Sequence, residues 1–132
     1  MNMIIDETLL NTISLQAQLS PRLRMNYNLH DSLDAKAQRL LNALEPGTKI
    51  PIHRHIDTAE TYVLLRGKIR VMQYDDNGVE ENTDVLDPLV GNYGIHIPAG
   101  QYHSLEVVAV GSVILEVKEG PYKPITEEEL LR

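Results

Sequence analysis

A chain of 132 residues, 42% of them apolar, is long enough to bury one hydrophobic core and suggests a single domain. Its net charge of −7 argues against non-specific binding to nucleic acid or anionic membranes, and no apolar run approaches the length of a membrane span. Cysteine is absent, which excludes disulfides and thiolate ligands. Any metal must then take imidazole, carboxylate and water, a donor set suited to Fe(II), Mn(II), Ni(II), Zn(II) or Cu(II).

The N-terminus, MNMIIDETLL, carries acidic residues where a signal peptide would carry basic ones, so a cytoplasmic protein is expected. Leu9, Leu10, Ile13 and Ala17 recur at helical spacing and predict a short helix over 6–18, capped by Asp6 or Thr8 and ended by Ser20-Pro21. From 22 to 32, Leu23, Met25, Tyr27 and Leu29 alternate with polar residues, the period of a strand with one polar face. Residues 35–44 fit a short helix or a strand entering the next unit. Pro46-Gly47 marks a turn.

From Gly47 to 118 the pattern is β. Strands are predicted at Ile50–His55, Glu60–Leu65, Lys68–Tyr74, Val79–Leu86, Tyr93–Ile97, His103–Val110 and Val113–Lys118. Asn77-Gly78 predicts a type I′ hairpin turn, because that turn needs positive φ at both central residues. Thr126 and Glu129 form a Thr-x-x-Glu capping box over a last helical turn. Short strands at this spacing indicate an all-β sandwich or barrel. The division read is 1–45 as an N-terminal helix and strand extension, 46–120 as the barrel core and 121–132 as a tail.

One stretch, GTKIPIHRHIDTAETYVLLRG, carries metal-ligand chemistry. On a strand His53 and His55 point the same way, and a turn through Asp57, Thr58 and Ala59 brings Glu60 onto the adjacent strand. His103, which follows the turn Pro98-Ala99-Gly100, completes a four-ligand set. Around an octahedral ion such a set leaves two positions open for water or substrate.

These residues resemble the motifs of the cupin superfamily. Gly47, His53, His55, Glu60 and Gly67 match every spacing of its first motif, and Pro98, Gly100 and His103 match its second. Asn92 stands where that motif begins with Gly, beside Gly91, and Val107 stands where it ends with Asn; neither is a ligand position. The resemblance implies an all-β jelly-roll barrel holding one divalent transition metal, Fe, Mn, Ni or Zn, and pairing as a homodimer. RMNYNLHDS, QRLLNAL, PIHRH and LEVKEGPYKP, in that order between Arg24 and Pro124, further resemble the WbuC-type cupin metalloproteins of bacterial surface-polysaccharide gene clusters.

Other residues are candidates for the substrate. Arg24, Asn26, Asn28 and His30 share one face and fit a polar pocket wall, with Arg for an anionic group and Asn for hydroxyls; they fit an exposed strand face equally well. Arg39 and Asn42 carry a fainter form of the same signal. Tyr62, two residues past Glu60, offers a hydroxyl to the barrel interior, and Tyr62 and His30 are the candidates for acid–base work. Tyr122 is placed at the pocket mouth. Glu106 and Glu116 read as outward, solvated or ion-paired residues, and Arg54 and His96 as structural or surface residues. The ligand set fits metal-dependent isomerase or epimerase chemistry on a small polar molecule, and the WbuC-type resemblance implies that this is a sugar or nucleotide-sugar. An Fe(II) dioxygenase and a non-catalytic ligand-binding barrel are the alternatives.

Overall fold

The computed structural model describes residues 2–131. A helix, α1 (Glu7–Leu19), precedes eight strands: β1 (Arg24–Asn28), β2 (Ala37–Leu44), β3 (Glu60–Arg66), β4 (Ile69–Tyr74), β5 (Glu80–Leu86), β6 (Gly94–Ile97), β7 (Tyr102–Val107) and β8 (Ser112–Glu119). Short 3₁₀ turns lie at Pro88–Val90 and Glu127–Glu129. The strands form a five-stranded sheet, β1-β2-β8-β3-β6, facing a three-stranded one, β5-β4-β7, with every pairing antiparallel. This is a jelly-roll barrel. No helix among the described residues is long and apolar enough to cross a membrane.

The helix starts where Asp6 accepts a hydrogen bond from the Leu9 N–H at 3.0 Å. Its apolar stripe, Leu10, Ile13 and Ala17, packs on Leu41, Ala43 and Val113, with Met25 and Leu115 at the margin. Arg66 ties the helix down, donating to Glu7, Asn11, Ser14 and the Gly111 carbonyl. The odd-numbered residues of β1, β2 and β8 therefore face the helix on the outside of the five-stranded sheet. By alternation, Arg24, Asn26, Asn28, Asn42, Glu116 and Lys118 face the other way, into the barrel. The barrel's other half is closed by an apolar core that includes Leu64, Ile69, Val71, Leu86, Ile97 and Ile114.

Three expectations change. Residues 35–44, left between helix and strand, are strand from Ala37 onward. Ile50–His55 is not a laddered strand: only His53 bridges, to His103 on one side and Leu130 on the other. Pro51 lacks the N–H a regular ladder needs there. The β4–β5 turn is not type I′, because Gly78 alone takes positive φ, at 84°. Asp75 instead accepts hydrogen bonds from Asn77 N–H and Val79 N–H, both at 2.9 Å, and the extra residue is absorbed as a register shift after Gln73.

Candidate metal centre

Glu60 opens β3, one strand from β8, and His103 sits near the start of β7 in the opposite sheet. The 50–55 segment lies alongside β7 through reciprocal His53–His103 backbone hydrogen bonds of 3.0 and 2.8 Å. Both sheets thus deliver side chains to one point. The donor atoms of His53, Glu60 and His103 lie within 4.8 Å of one another, and all three residues are buried. His55 joins from the far side, its Nε2 3.0 Å from Glu60 Oε1.

Backbone carbonyls orient two of the rings. Pro51 O lies 2.9 Å from His53 Nδ1, and Gln101 O lies 2.9 Å from His103 Nδ1. A carbonyl only accepts, so Nδ1 carries the hydrogen in each ring and Nε2 keeps its lone pair. His103 Nε2 is 3.0 Å from Glu60 Oε1, and that oxygen is buried with no hydrogen-bond donor other than the facing rings. The His103 lone pair and the carboxylate thus meet at hydrogen-bond distance, with a His53 donor atom within 4.8 Å, so a proton or a cation belongs between them. A divalent cation fits this donor set directly.

Without an ion, a proton on the rings takes its place: burial pushes the Glu60 carboxyl up, but hydrogen bonds from His103 and His55 and their charge when protonated outweigh it and hold it well below the usual carboxylate range. Burial, helped by the His103 ring, lowers His53 to about 4, which keeps it neutral and available as a ligand. Tyr62 donates to Glu60 Oε2 at 3.3 Å and lies 3.4 Å from His103 Nε2. Burial and the Glu60 charge raise its phenol well above its ordinary value, so it stays protonated and positions Glu60.

A cavity of about 220 Å³ opens beside this cluster, lined among others by Arg24, Asn42, Glu116, Lys118, Tyr122 and Lys123. An outer chamber of about 310 Å³, lined by Asn26, Asn28, His30 and Gln38, adjoins it and shares Glu116, Lys118 and Tyr122. Arg24 and Tyr122 therefore stand at the inner chamber and Asn26 and Asn28 at the outer one. His30 also belongs to the outer chamber, away from the imidazole cluster. Arg39 faces outward. Glu106 is exposed and pairs with Arg70 at 3.3 Å, as expected. Arg54 points away from the site, over the Tyr102 ring at 4.5 Å.

Glu116 corrects the sequence reading. It faces the cavity, and Oε1 accepts from Asn42 Nδ2 at 3.0 Å. The alternation of β8 separates Glu116 and Lys118 from Val113 and Leu115 but does not say which set is wet. The signal that does is the helix at 7–19, which needs the Val113/Leu115 face as its seat. Burial and then the Glu60 charge raise the Glu116 carboxyl above its ordinary value of 4.5. A raised folded-state value means that the ionised form is disfavoured in the fold, so stability falls as pH rises through it. Glu116→Gln is therefore expected to melt higher than the parent above neutral pH in chelator-treated protein, with the difference closing as pH falls toward 4.5. Equal melting temperatures at every pH would show that Glu116 sits comfortably ionised.

The sequence matches the family described as Domain of unknown function (DUF6016) over residues 5–86, which includes His53, His55 and Glu60 but ends before His103. No curated protein matches it. Among solved structures it is similar to TT1209 from Thermus thermophilus, at 21% identity and TM-score 0.64, covering 88% of this chain and 95% of that one. It is also similar to CapF, solved with the inhibitor 3-isopropenyl-tropolone, at 18% identity and TM-score 0.63, covering 75% of this chain and 28% of CapF. Oxalate oxidase, solved with the substrate analogue glycolate, matches at 18% identity and TM-score 0.61, covering 81% of this chain and 56% of the oxidase. The chain thus spans little more than a quarter of CapF and about half of oxalate oxidase. CapF and oxalate oxidase are cupin proteins, and the shared fold is the cupin jelly roll.

Proposed function

We propose that this chain, which belongs to the DUF6016 family, is a metal-dependent cupin that moves a proton on a small polar, sugar-related molecule, as an isomerase or epimerase does. The observation that carries the reading is Glu60 Oε1, buried, with no polar neighbour to satisfy it except two imidazole nitrogens, each 3.0 Å away. His53, His55, Glu60 and His103 would hold one divalent ion, Fe, Mn, Ni or Zn. When bound, it supplies a Lewis acid for a carbonyl or a pair of adjacent oxygens. The ligands of two structural relatives support that pattern, since 3-isopropenyl-tropolone and glycolate each carry two adjacent oxygens.

The chain's own residues supply the rest. Glu116, held by Asn42 and raised by burial, is poised to take a proton from the bound molecule and return it. Tyr62 keeps the Glu60 carboxylate in place, and the barrel's apolar half excludes water from one side. The WbuC-type resemblance adds surface-polysaccharide metabolism as the setting, and the cupin resemblance adds pairing of two copies.

The test is metal analysis by mass spectrometry of untagged protein beside the His53→Ala/His55→Ala double variant. About one equivalent in the parent and little in the variant is the expected result. A parent that takes up no iron, manganese, nickel or zinc, even on reconstitution, would overturn it. Bound iron together with oxygen consumption on an added hydroxy acid would turn the reading to an Fe(II) dioxygenase, which needs the same ligands and open metal positions.

A further inference from the structure

The five-stranded sheet overhangs the three-stranded one, and the overhang, β1, β2 and the end of β8, is a polar shelf leading away from the imidazole cluster. Two features set this shelf apart. The first is charge. Arg24, Lys118 and Lys123 line the inner chamber of a protein with net charge −7, and they outnumber the two carboxylates there, Glu60 and Glu116. None of the three forms an ion pair within 4.0 Å among the described residues, although Glu116 is near enough to act on Arg24 and Lys118. The Arg24 guanidinium donates only to the Lys49 carbonyl, at 3.2 Å. With Glu60 committed to the imidazole cluster, the shelf side of the chamber carries an excess of positive charge.

The second is hydrogen-bonding capacity. Asn42 Oδ1 and His30 Nε2, one in each chamber, are buried without a partner, a costly condition unless a ligand satisfies them. Asn26 and Asn28 stand beside them on the same face. Side-chain amides both donate and accept, which suits neighbouring hydroxyl groups. The chambers meet at Glu116, Lys118 and Tyr122, so one elongated molecule can occupy both.

We infer that the shelf binds a polyhydroxylated anion, a sugar acid or a sugar phosphate, with its anionic group among Arg24, Lys118 and Lys123 and its hydroxyls on Asn26, Asn28, Asn42 and His30. The assignment deepens the proposed function and rests on it for the end of the molecule that reaches the cluster. Recognition by the shelf itself involves only residues outside the ligand set.

The experiment is calorimetric titration of nickel-loaded and of chelator-treated protein with D-gluconate, D-glucose 6-phosphate, D-glucose and sulfate. At least one of gluconate and glucose 6-phosphate should bind about tenfold or more tighter than glucose, the worth of a charge-assisted hydrogen bond, and also tighter than sulfate. Whichever of the two is tighter identifies carboxylate or phosphate as the anionic group. Lys118→Gln and Arg24→Gln should each erase most of that preference while leaving the weak glucose binding and the melting temperature nearly unchanged. Glucose binding as tightly as both anions overturns the inference, and so does sulfate equalling them or no probe binding to folded protein. A protein that takes no metal yet keeps the preference sinks the metal reading alone. One that holds metal without the preference sinks this inference alone.

Discussion

Glu60→Gln is expected to lose metal-dependent stabilisation while the metal-free protein melts at or above the parent temperature. The opposite signs follow from one geometry. In the parent, Glu60 Oε1 faces the Nε2 atoms of His55 and His103 at 3.0 Å, and the neutral His103 ring meets it with a lone pair because its Nδ1–H faces the Gln101 carbonyl. A glutamine amide turned toward either ring donates the missing hydrogen, which relieves the metal-free state. The same change removes the one anionic ligand, so the ion loses both a charge and a donor. A ligand present at about a thousandfold over its dissociation constant stabilises by about 4 kcal/mol, which for a chain of this size is a rise on the order of 10 °C. Thermal melts with and without excess nickel or manganese measure both signs. An unchanged metal-induced shift in the variant would mean that Glu60 is not a ligand.

Gly67→Ala carries the second large effect, and it is structural. Gly67 ends the turn after β3 at φ 102°, where an L side chain costs about 1–2 kcal/mol. A Cβ there would also overlap Ser112 Oγ and lie 2.6 Å from Ser112 Cα. Ser112 cannot retreat, since its hydroxyl accepts from the Lys68 N–H at 3.1 Å and donates to the Ala109 carbonyl at 2.7 Å. Overpacking of this kind adds about 1–3 kcal/mol, so the total is about 3 kcal/mol or more, a large share of a domain's stability. Gly91→Ala is the control, because its φ is 86° but a Cβ meets nothing within 4 Å. Denaturant unfolding should show the second variant losing only the backbone share. Equal losses would place the whole cost in the backbone and none in the contact with Ser112.

The helix and the barrel were legible from periodicity and turn residues, because both are local signals. The cluster was legible from spacing: His53 and His55 sit two apart, Glu60 begins the next strand, and His103 follows a Pro-x-Gly turn. Its neighbours were less so. Alternation on β8 separates Glu116 and Lys118 from Val113 and Leu115, but alternation carries no direction, and charged residues read as wet by default. Only the docking of α1, a contact between residues far apart in sequence, settles which face is which. The 50–55 segment failed as a strand for a local reason, Pro51, yet its His53 still reaches the cluster through a single bridge. Within Asp75-Asp76-Asn77-Gly78 the Asn-Gly pair signals a type I′ turn, but the Asp75 carboxylate accepts from the Asn77 and Val79 N–H groups and holds the loop in another turn.

In the five-stranded sheet β8 lies between β2 and β3, although every other strand precedes it in the chain. That position makes the last strand the one that joins the sheet. Until residues 112–119 arrive, β1-β2 and β3-β6 are two separate ribbons with no shared hydrogen bonds. The helix lacks Val113 and Leu115 from its seat, and the shelf lacks Glu116 and Lys118. Closing that gap joins residues some 50 to 80 positions apart in one step, the kind of long-range pairing that makes folding slow. One strand thus joins the two ribbons, fills the last part of the helix's berth and adds one wall of the ligand chamber.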